Sequence, residues 1–171
     1  MGKIKSFLND FKWIIIGFIV LQLFIAYFVP RYIVPFRVDG ESMEKTLQHN
    51  DLMIGKKYQG ESPSHGEVIV FKAPNGSLYI KRIIGVPGDT ISIKGKDVIL
   101  NGKVIKEDYI NPPNETMEID EIKIPSGKYF VMGDNRDNSV DSRFSEVGLV
   151  DMSQIKSEIY LRLNPNFELI K

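Results

Sequence analysis

Hydrophobic positions along this chain follow two different patterns. From Trp13 to Val29 they run on (WIIIGFIVLQLFIAYFV), seventeen residues interrupted only by Gln22. As a helix rising about 1.5 Å per residue, the stretch reaches roughly 25 Å, slightly short of a bilayer's hydrocarbon core. Phe11 on one side and residues 32–36 on the other extend it, with Arg31 snorkelling outward. A cleaved signal peptide would show a shorter apolar stretch and a small-x-small exit, whereas FVPRYIVPFRV has no small residue after Ala26. The pattern therefore predicts an uncleaved transmembrane anchor over residues 13–30. Pro30 and Pro35 are expected to stop its helix and leave YIVPFRVDG extended.

Beyond the anchor the apolar runs shorten and alternate with turn chemistry. EVIVFK (67–72), LYIKRIIGV (78–86), KYFVM (128–132) and EIYLRL (158–163) read as strands. ISIKGKDVILNGKVI (91–105) reads as short strands joined by tight turns, with Asn101-Gly102 a two-residue hairpin signal. Only Met43–Gln48 offers a further helical turn. The predicted body is mainly β. Residues 89–127, rich in Lys, Glu, Asp, Asn and Pro, read as a smaller β insertion between two more apolar halves. The expected order is an N-terminal segment 1–12, the anchor 13–30 and one extramembrane domain over 31–171.

Charge and composition then narrow the class. Twenty-two basic residues balance twenty-two acidic ones, which lacks the electrostatic footprint of a nucleic-acid binder. With no cysteine, disulfides, zinc-thiolate sites and thiol nucleophiles are excluded. Lys3, Lys5 and Lys12 precede the anchor against Asp10, and Arg31 and Arg37 follow it. That bias favours a cytoplasmic N-terminus and a domain outside.

Three places carry candidate chemistry. In a strand over residues 78–86, Tyr79, Lys81 and Ile83 share one face and Ile80, Arg82 and Ile84 the other. A lysine flanked by Tyr and Ile on a buried face loses solvation, its pKa falls, and as a free amine it can accept a hydroxyl proton. An exposed strand lysine that discourages edge pairing is the plainer alternative. Ser42, in GESMEKTL, follows Gly40, whose freedom allows a turn that exposes the hydroxyl near backbone N–H groups. Its plainer alternative is a helix N-cap, although Lys45 does not complete a capping box. GDNRDNSVDSR (133–143) fails the calcium-loop pattern, since the glycine position counted from Asp137 holds Ser142 and the twelfth holds Gly148. Its residues can instead hold one another, Asp141 with an arginine and Ser139 offering a hydroxyl to a lysine. His49 and His65 leave a Ser–His–Asp triad conceivable, but both stand in polar, turn-like contexts, and no HExxH spacing exists.

Anchor, GESMxxTL, GEVIVF, YIKRIIGVPGD and GDNRDNSVDSR, in this order, closely resemble type I signal peptidases of the small single-anchor kind. The resemblance spans nearly the whole chain. It implies a signal-peptidase-like β catalytic domain with a small β insertion. It also implies a membrane-anchored serine endopeptidase that cleaves signal peptides from exported preproteins after small, Ala-x-Ala-like residues.

On that resemblance Ser42 matches the nucleophile and Lys81 the general base. Ser139 matches the serine that orients the lysine, and Asp141, Arg143, Asp134 and Arg82 match positions that hold the site together. The Ser42 N–H matches one oxyanion donor. No cofactor or metal is implied. The implied partners are an extended signal peptide and the bilayer, with no nucleic acid, and the chain is expected to be a monomer. Phe36, Met43 and Leu47 are read as either a lipid-facing rim or core.

Two departures stand beside the nucleophile. Gly40 occupies the place where some relatives carry a second, serine oxyanion donor. Lys45 replaces the proline of Ser-Met-x-Pro-Thr-Leu. Other readings are a self-cleaving repressor-type Ser–Lys protease, which would lack the anchor, and a catalytically weak or silent anchored paralogue acting as a binding protein, supported only by Lys45.

Overall fold

A computed structural model describes residues 2–111, 113–114 and 117–170, with side chains from Phe11 onward. The side chains of Lys3, Lys5 and Asp10, used above for the charge bias, lie outside the described set. The chain divides into two compact units, Met1–Ile33 and Val34–Lys171.

The first unit is one helix, α1 (Gly2–Tyr32). It passes through Pro30 and ends two residues later, so Pro30 does not stop it as the sequence pattern suggested. The φ of proline is compatible with a helix, and this close to the end the ring removes only one backbone hydrogen bond. The span Phe11–Tyr32 has 22 residues and a mean hydropathy of 2.3, long and apolar enough to cross a membrane by length and composition.

The second unit contains two sheets. The larger is built from β1 (Ile33–Arg37), β2 (Leu52–Lys56), β3 (Val68–Lys72), β4 (Leu78–Gly85), β9 (Lys128–Met132), β10 (Val150–Asp151) and β11 (Ile155–Asn164), in the order β1-β2-β11-β3-β4-β9-β10, with β12 (Glu168–Leu169) added on β11. The smaller contains β5 (Thr90–Gly95), β6 (Asp97–Leu100), β7 (Lys103–Val104) and β8 (Met117–Lys123), ordered β7-β6-β5-β8. Asn101 and Gly102, at φ 50° and 75°, make the turn from β6 to β7, the backbone that a two-residue Asn-Gly hairpin requires.

Strand β3 explains the packing. Its first four residues, Val68–Phe71, are all buried because both faces of the sheet are covered. Ile69 and Phe71 join Ile83, Tyr129, Val131 and Ile155 in one core cluster. Val68 and Val70 join Met53, Ile159, Val38, Met43 and Leu47 in another. A third cluster, with Ile91, Ile93 and Val98 against Ile84, Phe130 and Met132, seats the smaller sheet on the end of β4 and on β9. Met43 and Leu47 are thus core, not a rim. They anchor the segment that carries Ser42.

Candidate active site

Ser42 stands on a turn held at both ends. Before it, Val38 N–H donates to Asp51 O and Asn50 N–H to Val38 O, each at 2.9 Å. Gly40 adopts φ 104°, a backbone that side-chain-bearing residues rarely take. After Ser42 the chain closes one turn, with Leu47 N–H donating to Met43 O at 2.8 Å. The buried Met43 and Leu47 fix that turn in the core. The partner of Ser42 Oγ is Lys81, so the N-cap alternative does not hold.

Lys81 lies on β4 opposite Ile69 of β3 and is only 4% exposed. Its Nζ is 2.7 Å from Ser42 Oγ, donates to Ile80 O at 3.0 Å, and sits 5.3 Å from the centre of the Tyr79 ring. Burial is the main influence on its charge and disfavours the ammonium form. Asp141 and Asp134 pull the other way, while Arg143 adds to the lowering. The result is a pKa brought down from 10.5 to about 8. A free amine is therefore accessible close to neutral pH, beside a serine hydroxyl.

Behind the pair stand two buried ion pairs. Arg82, next along β4 and facing the other way, donates from Nε and Nη2 to the two oxygens of Asp134 at 2.9 and 2.7 Å, with both side chains 1% exposed. Thr46 Oγ1 donates to the same carboxylate at 2.5 Å. Asp141, fully buried, accepts from Arg143 Nε and Nη2 at 2.8 and 2.9 Å and from Gly133 N–H at 2.9 Å.

Ser139 differs from its expected role. Its hydroxyl donates to Asp141 at 2.7 Å, and Lys81 Nζ bonds only Ser42 Oγ and Ile80 O among the described residues. The Asp141 carboxylate, two residues away and paired with Arg143, accepts from that hydroxyl. Ser139 therefore connects to the site through Asp141.

The sequence reading missed four contributors: Thr46, Glu107, Tyr109 and Arg136. Arg136 and Glu107 form a buried pair, with Arg136 Nη1 donating to Glu107 Oε2 at 2.8 Å. Tyr109 lies 4.1 Å beneath the Arg82 guanidinium. The GDNR motif gave a signal for Arg136. Nothing local marked Tyr109 or Glu107.

Among the described residues the Ser42 N–H has no acceptor, whereas the Gly40 N–H is taken by His49 Nδ1 at 3.2 Å. Ser42 can thus present a free backbone donor beside its own hydroxyl. Neither histidine serves as a base for Ser42, because His65 Nε2 pairs with Asp89 at 2.6 Å and His49 holds Gly40.

A groove of about 530 Å³ opens over the pair, lined by residues 36–43 on one side and Ser77–Lys81 on the other. Strand β9 pairs with β4 only from Arg82 to Gly85, so the edge of β4 at Leu78–Lys81 that faces the groove has no partner strand among the described residues.

Comparison with known proteins gives the family. The family model described as signal peptidase, peptidase S26, matches residues 9–163. Signal peptidase I S of Bacillus subtilis is 38% identical over 168 residues, covering 91% of this chain and 88% of that protein. Signal peptidase IB of Staphylococcus aureus is 36% identical, covering 90% and 89%. A crystal structure of a signal peptidase I from Enterococcus faecalis aligns with a TM-score of 0.50 and 28% identity, covering 57% of this chain and 97% of that one. On this match, and with a buried lysine amine against a serine hydroxyl at the groove, the chain belongs to the signal peptidase family, peptidase S26.

Proposed function

We propose that this protein is a membrane-anchored serine endopeptidase that removes signal peptides from exported preproteins through a Ser42–Lys81 dyad. The observation that carries the reading is the 2.7 Å contact between Ser42 Oγ and an Nζ that burial drives toward the neutral form. Neutral Lys81 takes the hydroxyl proton as Ser42 Oγ attacks the carbonyl carbon of the scissile peptide bond. The carbonyl oxygen becomes an oxyanion facing the free Ser42 N–H. As it collapses, the C–N bond breaks and the lysine ammonium gives its proton to the departing amine. The resulting ester is hydrolysed by water that gives its proton to the now neutral Lys81, and as the second tetrahedral intermediate collapses the ammonium returns that proton to Ser42 Oγ.

The signal peptide binds extended, adding a strand along the free edge at Leu78–Lys81. The groove beside Met43 and Ile80 takes small residues before the cut. Helix α1 serves as the anchor, with the N-terminus cytoplasmic and the body outside. Phe11–Tyr32 supports this by length, and the basic residues ahead of it support the orientation. The protein works as a monomer at the bilayer.

The reading of a silent paralogue is not favoured. The Lys45 ammonium donates to the carbonyls of Asp108 and Ile110, so its charge is engaged away from the dyad.

Mass analysis of the products from a preprotein incubated with the full-length protein tests the proposal. A single cut after an Ala-x-Ala segment is expected, abolished when the residue before the cut is changed to Trp. Random cleavage, or none, contradicts it.

A further inference from the structure

Lys45 adopts φ 82°. A residue with a side chain holds that backbone only where its surroundings over-determine it, and proline, fixed near −65°, cannot adopt it at all. The turn after the nucleophile therefore has a different path from the one a Ser-Met-x-Pro-Thr-Leu sequence would take. What holds it is the Lys45 ammonium, which donates to Asp108 O at 2.8 Å and Ile110 O at 2.9 Å. Both acceptors lie in Glu107–Ile110, a strap between β7 and β8 that leaves the smaller sheet and crosses to the site.

The strap is tied down at other points as well. Glu107 forms the buried pair with Arg136, whose Nε donates to Gly133 O at 3.0 Å. Tyr109 OH donates to Glu107 Oε1 at 2.5 Å, and its ring supports Arg82. Arg82 holds Asp134, Asp134 accepts from Thr46, and Thr46 follows Lys45 in the chain. These contacts close a ring that joins the turn of Ser42 to the strand of Lys81.

From this closed ring we infer that Lys45 is a positioning residue for the reaction, an ammonium clamp that ties the strap to the nucleophile turn and so fixes Ser42 against Lys81. The inference rests on the dyad reading of the site. It concerns only how the two reactive atoms are kept at 2.7 Å. The groove proposed to take the substrate is lined by Glu41, Ser42 and Met43 and not by Lys45, so the clamp affects turnover and leaves substrate affinity alone.

The test compares full-length wild-type protein with Lys45→Met, Lys45→Arg, Lys45→Gly and Ser42→Ala in detergent micelles, cleaving one preprotein. Lys45→Met is expected to lower kcat about tenfold, with KM within about twofold. Lys45→Arg, which keeps a cation within reach of both carbonyls, restores most of the rate. Lys45→Gly, suited to the backbone but without the ammonium, resembles Lys45→Met even where Lys45→Met itself folds poorly. In a double-mutant cycle, Tyr109→Leu should remove most of the effect of Lys45→Met, because both act through the strap. If wild type cleaves in a Ser42-dependent way while Lys45→Met and Lys45→Gly match it in kcat, the clamp is wrong and the dyad stands. A rise in KM with kcat unchanged also overturns the clamp. If wild type shows no more cleavage than Ser42→Ala, the dyad reading itself has failed.

Discussion

Gly133 packs against Ser42: a methyl group at Gly133 would overlap both the Ser42 carbonyl oxygen and the Ser139 side chain. The first residue of GDNRDNSVDSR is thus a glycine because the nucleophile's own backbone occupies the space. Asn135 N–H donates to the same Ser42 carbonyl at 3.1 Å, so this loop both supports and locates the nucleophile.

Gly133→Ala should therefore displace Ser42 from Lys81. A shift near 1 Å in a reacting group lowers turnover by about a hundredfold, and overpacking of this kind costs about 1–3 kcal/mol. Kinetics and urea denaturation of the same preparation measure both. Wild-type turnover in Gly133→Ala would contradict the packing argument.

The Arg82–Asp134 pair is buried on both sides. Removing one partner of such a pair leaves an uncompensated charge, at a cost of about 3–5 kcal/mol. Arg82→Met should thus lower the urea midpoint severely. Arg82→Lys should recover little, because an ammonium cannot reproduce the two-point contact or the stacking on Tyr109. Full recovery by lysine would show that charge alone matters here.

Lys81 serves activity at a cost to stability. Its pKa falls from 10.5 in the unfolded chain to about 8 in the fold, so between these values the unfolded state binds more protons and stability rises with pH. The burial penalty is fully present below about pH 8 and is relieved as pH rises to the unfolded value. The difference corresponds to roughly 3 kcal/mol. Lys81→Met should accordingly be inactive yet more stable than wild type at neutral pH. A destabilised Lys81→Met would contradict the desolvation account.

Asp141 holds the Lys81 pKa up, against the effect of burial. Neutralising it in Asp141→Asn, which preserves the shape, should move the acid limb of the cleavage profile to lower pH. A shift to higher pH would show that Asp141 acts on Lys81 other than through its charge.

The strands were legible because local rules govern them, whereas Ser42 and Lys81 each had a plainer local reading and were paired only through the resemblance carried by the ordered motifs. Alternation around Lys81 placed it with Tyr79 and Ile83, and the Asn101-Gly102 turn needs only its own two backbone angles. The Pro30 ending was misjudged because a proline within the last turn of a helix removes too little bonding to stop it. Ser139 was assigned to the lysine, but the nearby Asp141 carboxylate competes for its hydroxyl. Tyr109 and Glu107 were illegible for a different reason. They stand 27 and 29 residues from the arginines they serve, inside a polar insertion whose strands say nothing about where its connecting strap will lie.

The dyad itself is tested most directly by the rate of preprotein cleavage by purified full-length protein from about pH 6 to about pH 10, for wild type, Ser42→Ala and Lys81→Met. Wild-type kcat/KM should rise with loss of one proton near pH 8 and then level, following the neutral fraction of Lys81. Both variants should fall by on the order of a thousandfold or more at every pH. A wild-type profile that is flat through this range, or cleavage that survives either substitution, would contradict a Ser42–Lys81 mechanism.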